Sequence, residues 1–526
     1  MKKNYLLILL VAFTFLQVSA QRYLTPIFNT VNVNTVIYGE NYTVLAVPTL
    51  GKTLKQPLVA RVYTPNGDTE TKRPVVIYMH TGNFLPQSVT QSPNGNLDDS
   101  CAIEICTRLA KMGYVAVSAD YRLGWNPVAQ TQEERTNTLI NAAYRGVQDG
   151  RTCVRYFKKN YTTFGVDTTK FVIWGQGTGG YPALAIASLS SYTEVLTTTN
   201  PAGKFFKADG TPMVIWKLPA SHPQLPNFVI NGDIEGKDLG LVPPGTVGPP
   251  KGGDTLCLPN HINQNSDVQL CVNMGGALGD LSWLDKNTPP MISFQVPWDP
   301  FAPYQSAVLR VPISPMVSLP VVEVQGAYTT QERMDSLGNN NVFDKILPSF
   351  DPFKSLVTAR AGKYIRGLFP LYGDNATDSS PWDFWSTDSI QNPYWKNGLV
   401  SNPNMSPAKA KRYIDTIMTY YIPRACVALN LPCAGTVTSN QDLVSNLDVP
   451  VTIAPNPAES VIRIETADQT IIKEIYLYDI NGRMISVNQV NNTQFILNRP
   501  SGLPQGLYTV GLKFEKGLMY KKVMFN

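Results

Sequence analysis

Charge is what this sequence has least of: Asp, Glu, Lys and Arg make up 16% of its 526 residues, against roughly 25% in an average soluble protein. The polar surface must therefore be built from Asn, Thr, Ser, Gln and Pro. The net charge of +5 includes Lys2 and Lys3, which lie in a segment expected to be removed, so the remaining chain is near +3. That is too little for a nucleic-acid-binding protein. Histidine is scarcer still, with three residues, at 80, 222 and 261. Beyond the N-terminus no stretch approaches the ~20 uninterrupted apolar residues of a membrane span, so the chain is not expected to span a membrane. No H-x-x-E pattern or close Cys/His cluster suggests a metal, and no cofactor is expected.

What is present begins with MKKNYLLILLVAFTFLQVSA, two lysines followed by an apolar run from Tyr5 to Leu16 and small residues at Ser19 and Ala20. This predicts a secretory signal peptide over residues 1–20 and an exported product. No cysteine follows the cleavage point, which argues against a lipid anchor. In an oxidising compartment some of the seven cysteines should pair. Short spacing predicts disulfides between Cys257 and Cys271 and between Cys426 and Cys433, and the odd count leaves at least one cysteine outside them.

Residues 21–433 read as one domain. Val36 to Leu123 gives two edge strands, the buried strand PVVIYMH, an amphipathic helix from Cys101 to Met112 and the buried strand YVAVSADYR. A long helix over about Thr138 to Asn160 precedes the strand KFVIWG. This alternation predicts an α/β fold, a mostly parallel sheet flanked by helices. Residues of about 190–265 break the rhythm, with runs such as VPPGTVGPPKGG, and read as a cap insertion over the carboxyl edge of the sheet. Strands resume in VQLCVNMGG and PMISFQV, and helices follow at Thr329 to Leu337 and in PAKAKRYIDTIMTYYI. Residues 434–450 are polar and aperiodic, a linker, and 451–526 holds strand-like runs between Asn, Gly and Pro turns, which predicts a small C-terminal β-sandwich.

Most of the chemistry lies in FVIWGQGTGGYPALAIA, Phe171 to Ala187. A strand ending in Gly-x-nucleophile-x-Gly-Gly and entering a small-residue helix is a nucleophile elbow, and here Gly177 stands at the nucleophile position. Taken alone, a Gly-rich turn before a helix suits a phosphate equally well. The neighbouring segments decide. VVIYMHTGNF, Val75 to Phe84, resembles the strand and oxyanion loop of the carboxylesterase branch of the α/β-hydrolase family, and the loop then holds His80, Thr81, Gly82 and Asn83. LAKMGYVAVSADYRLG and GVQDGRTCVRYFKKNYTTFGVDTTKFVIWGQGTGG are similar to the helices, strands and elbow that follow in the family. PPMISFQVPWDPFAPY resembles the strand and turn carrying the acidic triad member, which falls on Asp299. The resemblance covers about Val36 to Leu431 and implies an α/β-hydrolase fold.

The family's mechanism needs Ser, Asp or Glu, and His in that chain order, because imidazole must take the serine proton and return it. Asp299 alone is supplied: Gly177 has no side chain, and His80, His222 and His261 all precede Asp299. The resemblance therefore implies a degenerate triad at Gly177 and Asp299 with no catalytic residues. A binding or scaffold role follows, with His80, Thr81, Gly82, Asn83, Gly177, Thr178 and Asp299 as candidate ligand-binding positions. The rival expectation is an active carboxylesterase-type hydrolase with an unusual nucleophile. Thr178 is a poor substitute, since its side chain is expected to face the helix and no base adjoins it. Asp299 reads more readily as an Asx-type turn cap in Trp-Asp-Pro than as a ligand carboxylate. Trp382, Trp385 and Trp395 read more readily as a packed flap than as a sugar platform, and His222 and His261 as loop residues.

At the C-terminus APNPAES, LYDINGRMI, LPQGLYTVGL and YKKVMFN resemble the type A sorting domain of the type IX secretion system. Asn456-Pro457, Asn481-Gly482 and Gln505-Gly506 supply its turns. This resemblance implies engagement with the type IX machinery, passage through the periplasm and across the outer membrane of a Bacteroidetes-type bacterium, and secretion or attachment to the cell surface. A surface protein or glycan is the expected partner.

Overall fold

The computed structural model describes residues 22–216, 230–247, 250–314, 317–438, 449–479, 484–515 and 517–526. The expected signal peptide, His222, the Asn481-Gly482 turn and most of the expected linker lie outside these residues. The chain divides into two compact units, one running to Asp344 and continuing over Phe353–Cys433, the other made of Lys345–Pro352 and Ala434–Asn526.

The first unit is built on an eight-stranded sheet. Its strands are β1 (Val31–Thr43), β2 (Leu54–Pro65), β3 (Arg73–Met79), β4 (Val115–Ala119), β5 (Val166–Gln176), β6 (Leu270–Met274), β7 (Met291–Gln295) and β8 (Leu368–Pro370), in the spatial order β1-β2-β4-β3-β5-β6-β7-β8. The β1-β2 and β2-β4 pairs are antiparallel, and every pair from β4 to β8 is parallel. Every residue of β3, β4, β6 and β7 is buried, as expected of parallel strands covered on both faces. This is an α/β-hydrolase sheet with antiparallel strands at one edge.

Four helices matter for the site. Helix α1 (Ser100–Lys111) buries Ala102, Ile105, Cys106 and Leu109. Helix α2 (Gln132–Lys159) starts earlier than its apolar periodicity suggests, because Thr131 accepts a hydrogen bond from Glu134 N, with Glu133 and Glu134 in the first turn and Lys158 and Lys159 in the last. Helix α3 (Gly180–Ser188) leaves the elbow, and α4 (Pro407–Ala428) is capped by Ser406.

Three expectations are corrected. The described part of the 190–265 insertion does not lie over the cavity at the elbow. It packs along α2, whose buried polar side chains need partners: Gln148 Nε2 donates to Asn231 O and Asp233 O, both at 2.8 Å, Tyr144 OH donates to Gly232 O at 3.0 Å, and Arg151 pairs with Glu235 at 2.5 Å. His261 joins this packing as a loop residue, its Nε2 2.8 Å from Tyr38 O. The second correction concerns cysteines. Cys426 and Cys433 are bridged at the end of α4, but Cys257 and Cys271 are free. Cys271 lies in β6, its thiol 3.6 Å from Ala183 O of α3, whereas Cys257 belongs to a two-stranded ribbon of the insertion, so different elements hold them apart. Finally, Ala434–Val437 forms a helical turn rather than linker: Val437 is buried, and its carbonyl accepts from Leu347 N at 2.7 Å.

The C-terminal unit consists of two antiparallel sheets. One contains Val451–Ala454, Val461–Thr466 and Gln494–Asn498, and the other Met484–Asn492, Ile472–Tyr478, Gly506–Phe514 and Gly517–Phe525. Alternation places Ile462, Ile464, Ile475, Leu477, Val510, Leu512 and Val523 in a common core.

Candidate functional site

The site lies where β5 ends. A tight turn, Gly177–Gly179, joins β5 to α3, and the space around it explains its glycines. A Cβ on Gly175 would strike the Gly179 backbone, one on Gly179 the Met79 and His80 carbonyls, and one on Gly180 Gly276 Cα at 2.8 Å. Gly177 itself has φ +50°, a left-handed conformation that costs other residues about 1–3 kcal/mol. A Cβ there would collide with the Thr81 hydroxyl and approach Thr81 Cβ to 3.1 Å. The Thr81 side chain thus occupies the space into which a nucleophile would project.

The loop after β3 is drawn onto the elbow. Asn83 and Phe84 both have positive φ, 57° and 53°, and Asn83 N donates to Thr178 Oγ1 at 2.7 Å. The Thr178 side chain therefore faces the loop, not the helix as expected from sequence. An amide of the expected oxyanion loop is spent on it. Gly82 packs against Gly95, with a Cβ meeting Gly95 Cα at 3.0 Å. His80 is buried behind the loop. Its Nε2 lies 3.2 Å from Asp120 Oδ1, its Nδ1 2.5 Å from Thr81 O, and its ring stacks on Tyr121 at 4.7 Å. Burial pulls its pKa down, but the Asp120 hydrogen bond and charge outweigh this and hold it above the ordinary histidine value.

Thr81, Asn83, Gly177, Thr178 and Asp299 line one cavity of about 660 Å³. Its rim comes from segments other than the insertion: Leu85–Asn94, Trp125–Val128, Leu309 and Arg310 of the Ser306–Gln325 hairpin, and Ser379–Ser401. Asp299 Oδ1 accepts from Phe301 N at 2.8 Å, the expected Asx turn, while Oδ2 accepts from Gln295 Nε2 at 3.1 Å. A Cβ on Gly275 would stand 3.9 Å from Asp299 Oδ2 and 3.3 Å from Trp382 Cζ2. Burial pushes the Asp299 carboxyl up to about 7, against the opposing hydrogen bonds.

Sequence reasoning did not find Asp383. It lies in the loop after β8, only 5% exposed, and accepts from Nε2 of Gln176, the residue before Gly177, at 2.6 Å. Gln176 Oε1 in turn accepts from Tyr78 OH. Burial raises the Asp383 pKa to about 6, with the Gln176 hydrogen bond opposing it. Trp382 and Trp385 line the cavity yet are almost wholly buried, so they are both packed and site-forming. The nearest local signal was the aromatic run SPWDFW. Among the described residues there is no cluster of His, Cys, Asp and Glu fit to hold a metal ion.

Residues 61–211 match the BD-FAE family model, and residues 452–526 match the model of the secretion system C-terminal sorting domain. The chain thus carries an esterase-like α/β-hydrolase domain and a type IX sorting domain, which marks it for export. Among curated proteins it is similar to the neuroligin-like protein glit-1 of Caenorhabditis elegans, 27% identical over 124 residues, a match covering 23% of this chain and 14% of that protein's length. Among solved structures it is similar to a thermophilic esterase, Est2, of the planctomycete Thermogutta terrifontis (12% identity, 73% of this chain and 94% of that one, TM-score 0.30). It is also similar to an esterase of the hyperthermophilic archaeon Pyrobaculum calidifontis (26% identity, 33% and 44%, TM-score 0.20). No helix among the described residues is long and apolar enough to cross a membrane.

Proposed function

We propose that this is an exported binding or scaffold protein whose α/β-hydrolase domain does not hydrolyse esters, delivered by the type IX secretion machinery and then released or held at the cell surface. The observation that carries the reading is Gly177 at the elbow, with the Thr81 side chain in the space a nucleophile would need. Two further facts support it. No histidine follows Asp299, so the general base of the family's triad has no counterpart in chain order. Asn83 N–H is engaged by Thr178 Oγ1, so a loop amide that would receive an oxyanion is already satisfied. Thr178 is not a plausible nucleophile in return, because its hydroxyl oxygen is held by that amide of the loop. The test is turnover of p-nitrophenyl acetate and butyrate by the full chain, with a fluorophosphonate probe of covalent labelling. The expected result is hydrolysis at the buffer rate and no label. Robust turnover blocked by the probe would overturn the proposal.

A further inference from the structure

Strand β1 is an edge of the eight-stranded sheet, and at 13 residues it is long for one. Its register with β2 settles which backbone groups face outward. Asp120 N donates to Val59 O, so Val59, Arg61 and Tyr63 turn their backbone groups toward β4. Ala60, Val62 and Thr64 then face β1, where they stand opposite Val36, Asn34 and Asn32. By alternation the N–H and C=O groups of Val31, Val33, Thr35 and Ile37 point away from the sheet, and among the described residues none of them meets a partner.

The two halves of this edge differ. Over the C-terminal half the insertion closes it: Asn260 Nδ2 donates to Glu40 O at 2.9 Å, Asn260 Oδ1 accepts from Glu40 N at 3.3 Å, and His261 Nε2 lies 2.8 Å from Tyr38 O. The N-terminal half, VNVNTVI from Val31 to Ile37, holds no proline, no charged residue and no bulge, the devices that ordinarily keep an edge from pairing. Val33 is 50% and Ile37 59% exposed, and Thr35 lies between them on the same face. Arg61 donates to Thr35 Oγ1 and is neutralised by two bonds to Asp98, each at 2.9 Å, so it brings no net charge to the edge.

The uncovered stretch is complementary to itself. Laid antiparallel against a second copy about Asn34, Val31 of one copy opposes Ile37 of the other and Val33 opposes Thr35, so outward-facing residues meet throughout and each pair exchanges two backbone hydrogen bonds. The side chains then form β-branched cross-strand pairs on one face, and Asn34 meets Asn34 on the other, with no like charges opposed. A shifted register loses a pair. In one direction Ile37 passes the start of the strand, and in the other Val31 meets Gly39, which stands opposite Leu58 and faces β2.

We infer that the Val31–Ile37 edge of β1 joins two copies of this chain into a two-fold dimer, with the sheet running on from one copy into the other. This goes beyond the non-hydrolytic reading and does not rest on it. One strand pair buries little area for a specific interface, so the dimer is reversible, with half association expected on the order of 10 μM.

The test is the mass of the full chain in solution, by sedimentation and light scattering from about 1 to about 300 μM, a span that brackets that value. The expected result is a shift from one chain to two. Thr35→Pro removes an outward N–H without touching the β2 ladder, and Val33→Lys sets a cation opposite Thr35 and beside Arg61 of the other copy. Each should raise the dissociation constant about tenfold or more. Asn34→Cys reads the register. Across the two-fold its Cα atoms would be about 4.5 Å apart, within disulfide reach, whereas those of Thr35→Cys would be displaced along the strands beyond about 7 Å. Oxidation should therefore cross-link Asn34→Cys and not Thr35→Cys. Melting curves verify that the variants fold, and if Thr35→Pro does not, Val33→Lys and the cross-link carry the test. A chain that stays single to about 300 μM, a dimer undiminished in folded Val33→Lys, or failure of Asn34→Cys to cross-link would each overturn the inference.

Discussion

Gly177 sits at φ +50° beneath Thr81, and both facts bear on what a serine there would do. A serine must adopt a left-handed backbone and displace the Thr81 hydroxyl, so we predict that Gly177→Ser loses about 1–3 kcal/mol of stability and gains no esterase activity. Thr81→Ala in the same background should return part of that loss, which a double-mutant cycle by urea denaturation would measure; purely additive effects would show that the two side chains do not meet. The buried carboxyls make a second prediction. Asp299 and Asp383 titrate near 7 and 6 in the folded chain, both raised by burial, against about 3.9 when unfolded. Between those values the unfolded state gives up protons that the native state keeps, so stability falls as pH rises from about 4 to about 7 and levels off above. For Asp383 the effect is on the order of 3 kcal/mol. Melting temperature should drop from pH 5 to pH 7.5, and the drop should shrink in Asp299→Asn, whose side chain cannot ionise. A profile of unchanged slope in that variant would remove Asp299 from the account. The Asx turn of Asp299 was readable from sequence, but the environment of Asp383 was not, since it meets Gln176 across 207 residues of chain.

Legibility at the scale of elements followed burial. The strands β3, β4 and β5 and the helices between them were readable because strands buried on both faces have long apolar runs and their helices have apolar stripes. The hairpin Ser306–Ser314 with Val317–Gln325 was not, as prolines at 312, 315 and 320 interrupt its pattern. The insertion was misplaced for a different reason. Its own sequence has no period, and the clue lay on α2, where Gln148, Arg151 and Arg155 are buried and so require polar partners. At the end of α4 a single disulfide closes a short loop. We predict that peptide mapping without reductant finds Cys426 joined to Cys433 and the other five cysteines alkylated only after unfolding. Replacing the pair by serine should cost about 2 kcal/mol. A linkage between Cys257 and Cys271 would contradict the arrangement of β6 and the ribbon.

For the whole molecule, two units with separate cores divide the labour: one holds the cavity, and the other, over residues 452–526, matches the secretion sorting domain. Each unit's core is closed by its own side chains, with Ile464, Leu477, Val510 and Val523 among those filling the smaller one. Removing the tail should therefore leave the sheet β1–β8 intact, because none of its ladder partners lies beyond β8. We predict that truncation after Asn446, which keeps the Leu347 to Val437 hydrogen bond, yields a folded first unit with a melting transition close to that of the same unit in the full chain. The truncated chain should accumulate in the periplasm, since it retains the expected signal peptide and lacks the sorting domain. Fractionation of cells expressing both forms, with surface proteolysis as the readout, checks this directly: full-length protein should be cleaved or released outside, and the truncated form protected. A truncated chain that still reached the surface would place the export signal elsewhere and leave the C-terminal unit as a structural appendage.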